Sequence, residues 1–494
     1  MTTTDPGAAG PRPAGSRRTP ALLVALVVLV VLVLVATVLV RRAGAADAPA
    51  TVPTVSISTA PSATPGPSPT QDAPAARPDG TVAPTVAWTL TGETLPGAVP
   101  GLTDLTLAEP SASGAANVSD VAVVVASRPD GSDDQAAEVL GIGRSDGQVV
   151  WRRSTPSASR HTCHVLADGL RAACLSQVRS TATTHVTVVE SATGRVLGEG
   201  TVDGNMEMAL AVGDDVVLAG PSQSDAIAPV TISRGTPADL TARWAVQVES
   251  PGLLESDYFD SISANAETLV VTAGPLVVAL DPDSGATVST SVGSGGAMPS
   301  TGSWASSADG TGTVVLAADG TGRAALPGAP WRRAVGSTAT RTGIGASAVD
   351  PATYEPLWTT ALPDGTRVRD AAVTDDVTVL WRTPVVAATT AVTYVGLDGA
   401  TGAPLWEHEG TWAGDPRQVG DALVLADDAA VWALDTSDGS VPWSVDAPAP
   451  SGSFTSDLLG DVMVVDGRPA QGADPGAAAA LTGYRFGAEV PAAR

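Results

Sequence analysis

The chain has 494 residues, a formal net charge of −25, 44% hydrophobic and only 4% aromatic residues. All 27 basic residues are Arg, so there can be no Walker A lysine, no Schiff-base lysine and no kinase β3 lysine. A surface this acidic repels nucleic acid and anionic headgroups, so no nucleic-acid partner is expected.

In chain order, residues 1–20 read as a short cytoplasmic tail carrying Arg12, Arg17 and Arg18. Residues 21–40 (ALLVALVVLVVLVLVATVLV) are uninterrupted apolar or small residues, long enough to cross a bilayer as a helix. A cleaved signal peptide has a shorter apolar core and no basic residues directly after it; Arg41 and Arg42 follow at once and favour a retained anchor. The positive-inside rule puts the short N-terminus in the cytoplasm, which makes the protein a single-pass cell-membrane protein with an extracytoplasmic C-terminal domain. Beyond residue 42 the chain carries 51 acidic residues against 22 Arg, as suits a solubilised outer domain. Residues 41–81, rich in Pro, Ala, Ser and Thr, cannot bury a core and read as a disordered stalk. In polyproline II, at about 3.1 Å per residue, such a stalk reaches on the order of 100 Å.

From 82 to 490 the pattern changes to short strands, beginning with TVAWTL (85–90), and a phrase recurs: an apolar strand, an Asp and Gly turn, then a strand with Trp four residues after the Gly. Copies are VLGIGRSDGQVVW (139–151), HVTVVESATGRVLG (185–198), VVALDPDSGATVS (277–289), ASAVDPATYEPLW (346–358), VGLDGATGAPLW (395–406) and VWALDTSDGSVPW (431–443). With Trp244 filling a gap, the Trp-equivalent positions 151, 198, 244, 289, 358, 406 and 443 step by 47, 46, 45, 69, 48 and 37 residues. Units of this length cannot bury their faces alone, and the repeat predicts an all-β propeller.

Turns opening onto Val-rich runs give an independent count. They are SDVAVVV, ADGLRAAC, GDDVVLAG, AETLVVTAG, GTGTVVLAADG, TDDVTVLW, GDALVLADD and GDVMVVDG, which makes eight. The long step from 289 to 358 is then one blade with an insertion around Trp331. Eight blades are expected, with seven as the alternative because 293–345 is the hardest stretch to divide. The last unit, ending AALTGYRFG (479–487), lacks a fourth strand, and TVAWTL supplies one, so the N-terminal strand should close the ring and hide its edge.

The two cysteines lie in HTCHVLADGLRAACL. If Asp168-Gly169 forms a two-residue turn, cross-strand partners sum to 337, which sets Cys163 opposite Cys174 at disulfide distance. A metal site built from His161, Cys163, His164, Cys174 and His185 is disfavoured because strand alternation puts His164 on the other face. Gly143-Arg144-Ser145-Asp146-Gly147 matches a nucleophile-elbow pattern but is followed by a strand rather than a helix, so it reads as a hairpin turn. The acidic run 128–134 fits no calcium loop of EF-hand type. Trp88, Trp151, Trp244, Trp358, Trp406 and Trp443 read as structural residues docking one blade on the next, whereas Trp304, Trp381 and Trp412 fall outside that register and are free for a binding face.

The Asp, Thr/Ser-Gly and Trp phrase resembles the repeat of quinoprotein-type, or PQQ-like, propellers over roughly residues 82–490. In that family the Trp docks each blade on its neighbour. The family divides into quinone-dependent dehydrogenases and non-enzymatic propellers such as the lipoprotein scaffold of outer-membrane β-barrel assembly. The dehydrogenases are similar to one another in a vicinal cysteine disulfide over the cofactor, a calcium shell and a catalytic Asp. This chain has no adjacent cysteines, and the resemblance therefore implies the non-enzymatic branch, with no cofactor. The expected function is a membrane-anchored, extracytoplasmic binding or scaffold module for an envelope protein or polymer, present as a monomer. The alternatives are a quinone-dependent dehydrogenase and a glycan-binding or glycan-cleaving ectodomain, which would need paired carboxylates in one cleft.

Protease added to wall-stripped cells should remove the C-terminal domain from the anchor. A protected C-terminus, or a mature chain starting near Ala46, would reject this topology.

Overall fold

The computed structural model describes residues 78–487 apart from 96–101, 103, 111–118, 129–135, 167–168, 223–228, 250–258, 274–275, 293, 298–302, 307–311, 329, 334–340, 386–390, 428–429, 447–450, 460 and 470–479. The chain divides into two units, Met1–Ala73 and Pro74–Arg494, and the first lies outside the described residues. So do the expected tail 1–20, the span 21–40 and the stalk as far as residue 77. Among the described residues no helix is long and apolar enough to cross a membrane.

The described strands of the second unit form nine sheets, seven of them antiparallel throughout, and successive sheets pack face to face as a β-propeller. In chain order they cover 104–154 (blade 1), 160–203 (blade 2), 208–248 (blade 3), 259–292 (blade 4), 294–326 (blade 5), 342–359 (blade 6), 366–411 (blade 7) and 414–446 (blade 8). Blade 9 joins the two ends of the unit: Ser451–Leu459, Val462–Pro469 and Ala480–Arg485 are completed by Thr85–Thr91, with Trp88 opposite Gly483.

The count is nine, not eight or seven. The stretch assigned to one blade with an insertion holds two. Blade 5 ends in Gly322–Leu326 (GRAAL), which has no Trp, so the indole spacing passes over it. The Val-rich runs expected to open the units are the second strands of blades 1–4 and 7–9, and in blade 6 that strand is only Ser347–Val349 (SAV), so the signal passes over it. The run TVVL, expected at the start of a unit, is the third strand of blade 5. Each blade lacks one of the two signals, and the two counts merged them.

Among the described residues blade 6 has three strands. A partial substitute for the fourth comes from the preceding segment, where Pro330 bridges Ile344 and the Trp331 N–H bonds the Gly343 carbonyl. Two residues on, Arg332–Arg333 pair in parallel with blade 7. Glu109–Pro110 likewise leaves blade 1 to pair in parallel with blade 2.

The core lies between sheets rather than within one. Leu105, Val124 and Leu140 of blade 1 cluster with Trp88, Val464 and Leu481 of blade 9, while Val123, Val125 and Val139 face Val165, Val189 and the two cysteines of blade 2. Both faces of a strand such as Val121–Ser127 are therefore buried, which is why these strands are continuous Val runs rather than alternating ones. The last strands alternate: Pro404–Thr411 buries Trp406 and exposes Leu405 and Glu407. Burying a sheet on both faces is possible only with a neighbour on each side, so closure of the ring stabilises every blade.

Deleting residues 82–92 should destabilise the whole unit, since Trp88 alone is a burial of the kind whose removal costs about 3–5 kcal/mol. Removing 45–77 should leave the melting curve where it was. An unchanged curve after the 82–92 deletion would mean that the ring does not depend on its N-terminal strand.

Candidate functional site

The sequence signature becomes geometry at the turn before the last strand of a blade. In five blades the N–H of residue 147, 194, 285, 402 or 439, each a glycine, bonds the carbonyl four residues back. Each of these glycines has φ between 66° and 73°, the left-handed region that side chains avoid. Where the first residue is Asp, its carboxylate caps the turn. Asp398 Oδ1 accepts the N–H groups of Ala400 and Thr401 and the Thr401 hydroxyl, and Asp281 does the same for Asp283 and Ser284.

The indole of the preceding blade lies on this turn. Trp151, Trp244 and Trp406 donate Nε1–H to the carbonyls of Ser191, Pro282 and Thr436 at 2.8–3.0 Å, and Trp358 to Gly399 at 3.3 Å. Trp88 bonds the Arg144 carbonyl at 2.6 Å. Every acceptor is three residues before the left-handed glycine, whose missing Cβ leaves room for the ring. A Cβ on Gly402 would come within 2.4 Å of Trp358 and one on Gly439 within 2.6 Å of Trp406. On its own blade the indole lies over a second glycine, and a Cβ on Gly141 or Gly396 would sit 2.1 Å from Trp151 or Trp406.

Trp443 meets a turn made from both ends of the unit. Its Nε1–H bonds the Gly80 carbonyl, the Asp79 N–H bonds the Gly487 carbonyl, and Asp79 Oδ1 caps Thr81. The expected Trp-equivalent at 198 is Gly198, against which Pro237 of blade 3 is so close that a Cβ would meet its carbonyl oxygen at 1.8 Å. At blade 6 the left-handed glycine is replaced by Tyr354, φ 59°, buried with Val315 and Ile344.

Cys163 and Cys174 are direct cross-strand partners within blade 2, joined as a disulfide and buried at 2% and 4% exposure. The histidines around them make separate bonds, His161 Nδ1 with the Ser176 hydroxyl and His164 Nε2 with the Glu207 carbonyl. His185 is paired across the sheet with Ser176 and Thr201. Ser145 lies in the turn that receives Trp88, and the acidic run 129–134 lies outside the described residues. Of the tryptophans outside the register, Trp381 is 1% exposed and edge-on to Tyr394 at 5.3 Å, Trp304 is half-buried over Gly296, and Trp412 lies beneath the Arg369 guanidinium at 4.2 Å.

The turn carboxylates are held in their charged form. A hydrogen bond from the Thr401 hydroxyl keeps Asp398 below the usual carboxylate range, and the N–H groups of Ser284 and Thr353 do the same for Asp281 and Asp350. Burial pushes the Tyr394 phenol up, and the Tyr484 phenol to about 12.

Residues 344–478 match the family described as outer membrane protein assembly factor BamB. A curated protein of that name from Xanthomonas campestris pv. campestris is 34% identical over 114 residues, 22% of this chain, and the match spans only 28% of that relative's length. Among solved structures, BamB from Moraxella catarrhalis is similar at 16% identity and a TM-score of 0.44, over 82% of this chain and 100% of that one. Quinohemoprotein alcohol dehydrogenase from Comamonas testosteroni is similar at 11% identity and a TM-score of 0.43, over 82% and 77%. The fold rests on the strand pairing above rather than on these superpositions. The chain is a β-propeller built from PQQ-like repeats.

Replacing Trp406 by Ala should cost about 3–5 kcal/mol in urea unfolding, and Trp406→Phe should lose less, keeping the packing but not the N–H bond worth about 1 kcal/mol. A loss below about 1 kcal/mol for Trp406→Ala would remove the docking role.

Proposed function

We propose that the protein is a non-catalytic binding or scaffold propeller of the cell envelope, held at the membrane by residues 21–40 and presenting the domain to an envelope protein or polymer. Trp88, Trp151, Trp244, Trp358, Trp406 and Trp443 are its blade-docking residues, and the Cys163–Cys174 bridge fits an oxidising, extracytoplasmic compartment. The observation that carries the reading is the use made of the repeat's carboxylates. Asp281, Asp350 and Asp398 are capped by N–H and hydroxyl donors and shifted toward permanent charge, the opposite of what a general acid or shared-proton pair needs. The match of 344–478 to an assembly-factor family supports the same reading.

A quinone cofactor does not suit the residues present. The family's enzymes cap it with a disulfide between adjacent cysteines. Here the only cysteines are eleven residues apart and buried between blades 1 and 2.

Crosslinking in intact cells followed by capture of the tagged chain should recover one reproducible envelope protein or polymer. Added pyrroloquinoline quinone with calcium should give no bound absorbance and no dye reduction with alcohols or sugars. Stoichiometric quinone with turnover would overturn the reading.

A further inference from the structure

We infer that a groove between blades 6 and 7 is a binding site for the C-terminal residue of a peptide, taking its carboxylate on Arg341 and its apolar side chain against Leu357 and Trp358. This deepens the binding-module reading and rests on it for the biological partner, though not for the chemistry.

The groove encloses about 260 Å³ and is lined by Arg341, Val349, Pro351, Leu357, Trp358 and Ala400, among others. It lies beside the three-stranded blade, where the last strand, Pro356–Thr359, meets the turn of blade 7. Leu357 is 64% exposed, the most exposed large hydrophobic residue among the described residues, and it lines the groove with Val349, Pro351, Trp358 and Ala400, Arg341 and Thr342 being the polar side chains there. The volume is below the roughly 300 Å³ at which sites for drug-sized ligands begin, so it suits one side chain and its terminal group rather than a cofactor or a polymer segment.

Arg341 supplies the charge. Its Nη2 donates to the carbonyls of Thr374 and Asp375 at 2.7 and 2.8 Å, which fixes the guanidinium to blade 7. The plane lies so close to Gly399 that a Cβ there would sit 2.4 Å from Cζ. Nε is buried without a partner, while Nη1 is not buried and bonds none of the described residues. A fixed cation with N–H groups left over, beside an apolar wall, is the arrangement that recognises a carboxylate carrying an apolar group. Asp398 feels the charge of Arg341 but makes no bond to it among the described residues. Asp398 Oδ1 is taken up by Ala400 and Thr401, and Thr401 rather than Arg341 is the main cause of its lowered pKa.

The test is saturation-transfer NMR of N-acetyl-L-leucine, N-acetyl-L-leucinamide and octanoate against the full-length chain in lipid nanodiscs, with empty nanodiscs as control. The acid should bind with a dissociation constant on the order of 1 mM, and the amide about tenfold more weakly. Leu357→Glu, which sets a like charge at the exposed mouth, and Ala400→Trp, which fills the groove, should each weaken the acid about tenfold or more. Both alter solvent-facing positions, so unchanged melting would show that the fold is intact. Equal binding of acid and amide, wild-type binding by both variants, or octanoate binding more tightly than the leucine derivative would overturn the proposal. Loss of leucine binding with crosslinked capture intact would remove the groove and leave the scaffold reading standing.

Discussion

The structure depends on one repeated contact, an indole N–H that reaches from the last strand of a blade to a carbonyl in the next blade's turn. A tryptophan brings the largest apolar surface of any side chain together with one donor that must be satisfied when buried. The turn offers a carbonyl for the donor and a residue without a side chain for the ring. At about 25 cal/mol per Å² over 150–250 Å², each buried indole contributes on the order of 4–6 kcal/mol before the cost of ordering it. It also fixes orientation, because the acceptor stands three residues before the glycine whether the blade pair is 9 and 1, 1 and 2, or 7 and 8.

The ring keeps its geometry where that contact changes. Between blades 2 and 3, Gly198 lets the two-residue turn at Pro237 come so near that backbone replaces the indole. Between blades 5 and 6 the aromatic group moves to the turn itself, as Tyr354 accepts a left-handed backbone and packs back on Val315. Its N–H still bonds the Asp350 carbonyl, as the glycines do in their turns. What persists is filled space between a strand and a turn, and the residue type that fills it is variable.

That distinction explains what the sequence could show. The Trp and Gly spacing, the split blade at the termini and the facing cysteines depend on contacts between residues close in a repeat or related by strand register, and a linear reading can follow them. Blades 5 and 6 read as one because the last strand of blade 5, GRAAL, carries no Trp and the second strand of blade 6, SAV, is too short to show a Val-rich run. The tryptophans outside the register went different ways, since the exposure of Trp381 depends on Tyr394 and its packing rather than on its own strand. Leu357 and Ala400 lie within copies of the repeat and Arg341 outside it, and only the approach of two blades makes the three neighbours.

The shared blade also sets an order in time. Thr85–Thr91 belongs to the first part of the domain to be synthesised, yet its partner, Ala480–Arg485, is among the last; 395 residues separate Trp88 from Gly483. At about 5–20 residues per second, the first strand waits roughly 20–80 s for its sheet. Through that interval it is an unpaired apolar edge, open to pairing with another chain. Blades formed early can stack in sequence as they emerge, but none can be sealed before the last hairpin arrives. Translation speed and chaperone cover therefore bear on the yield of this ring, because they set how long that edge stays open.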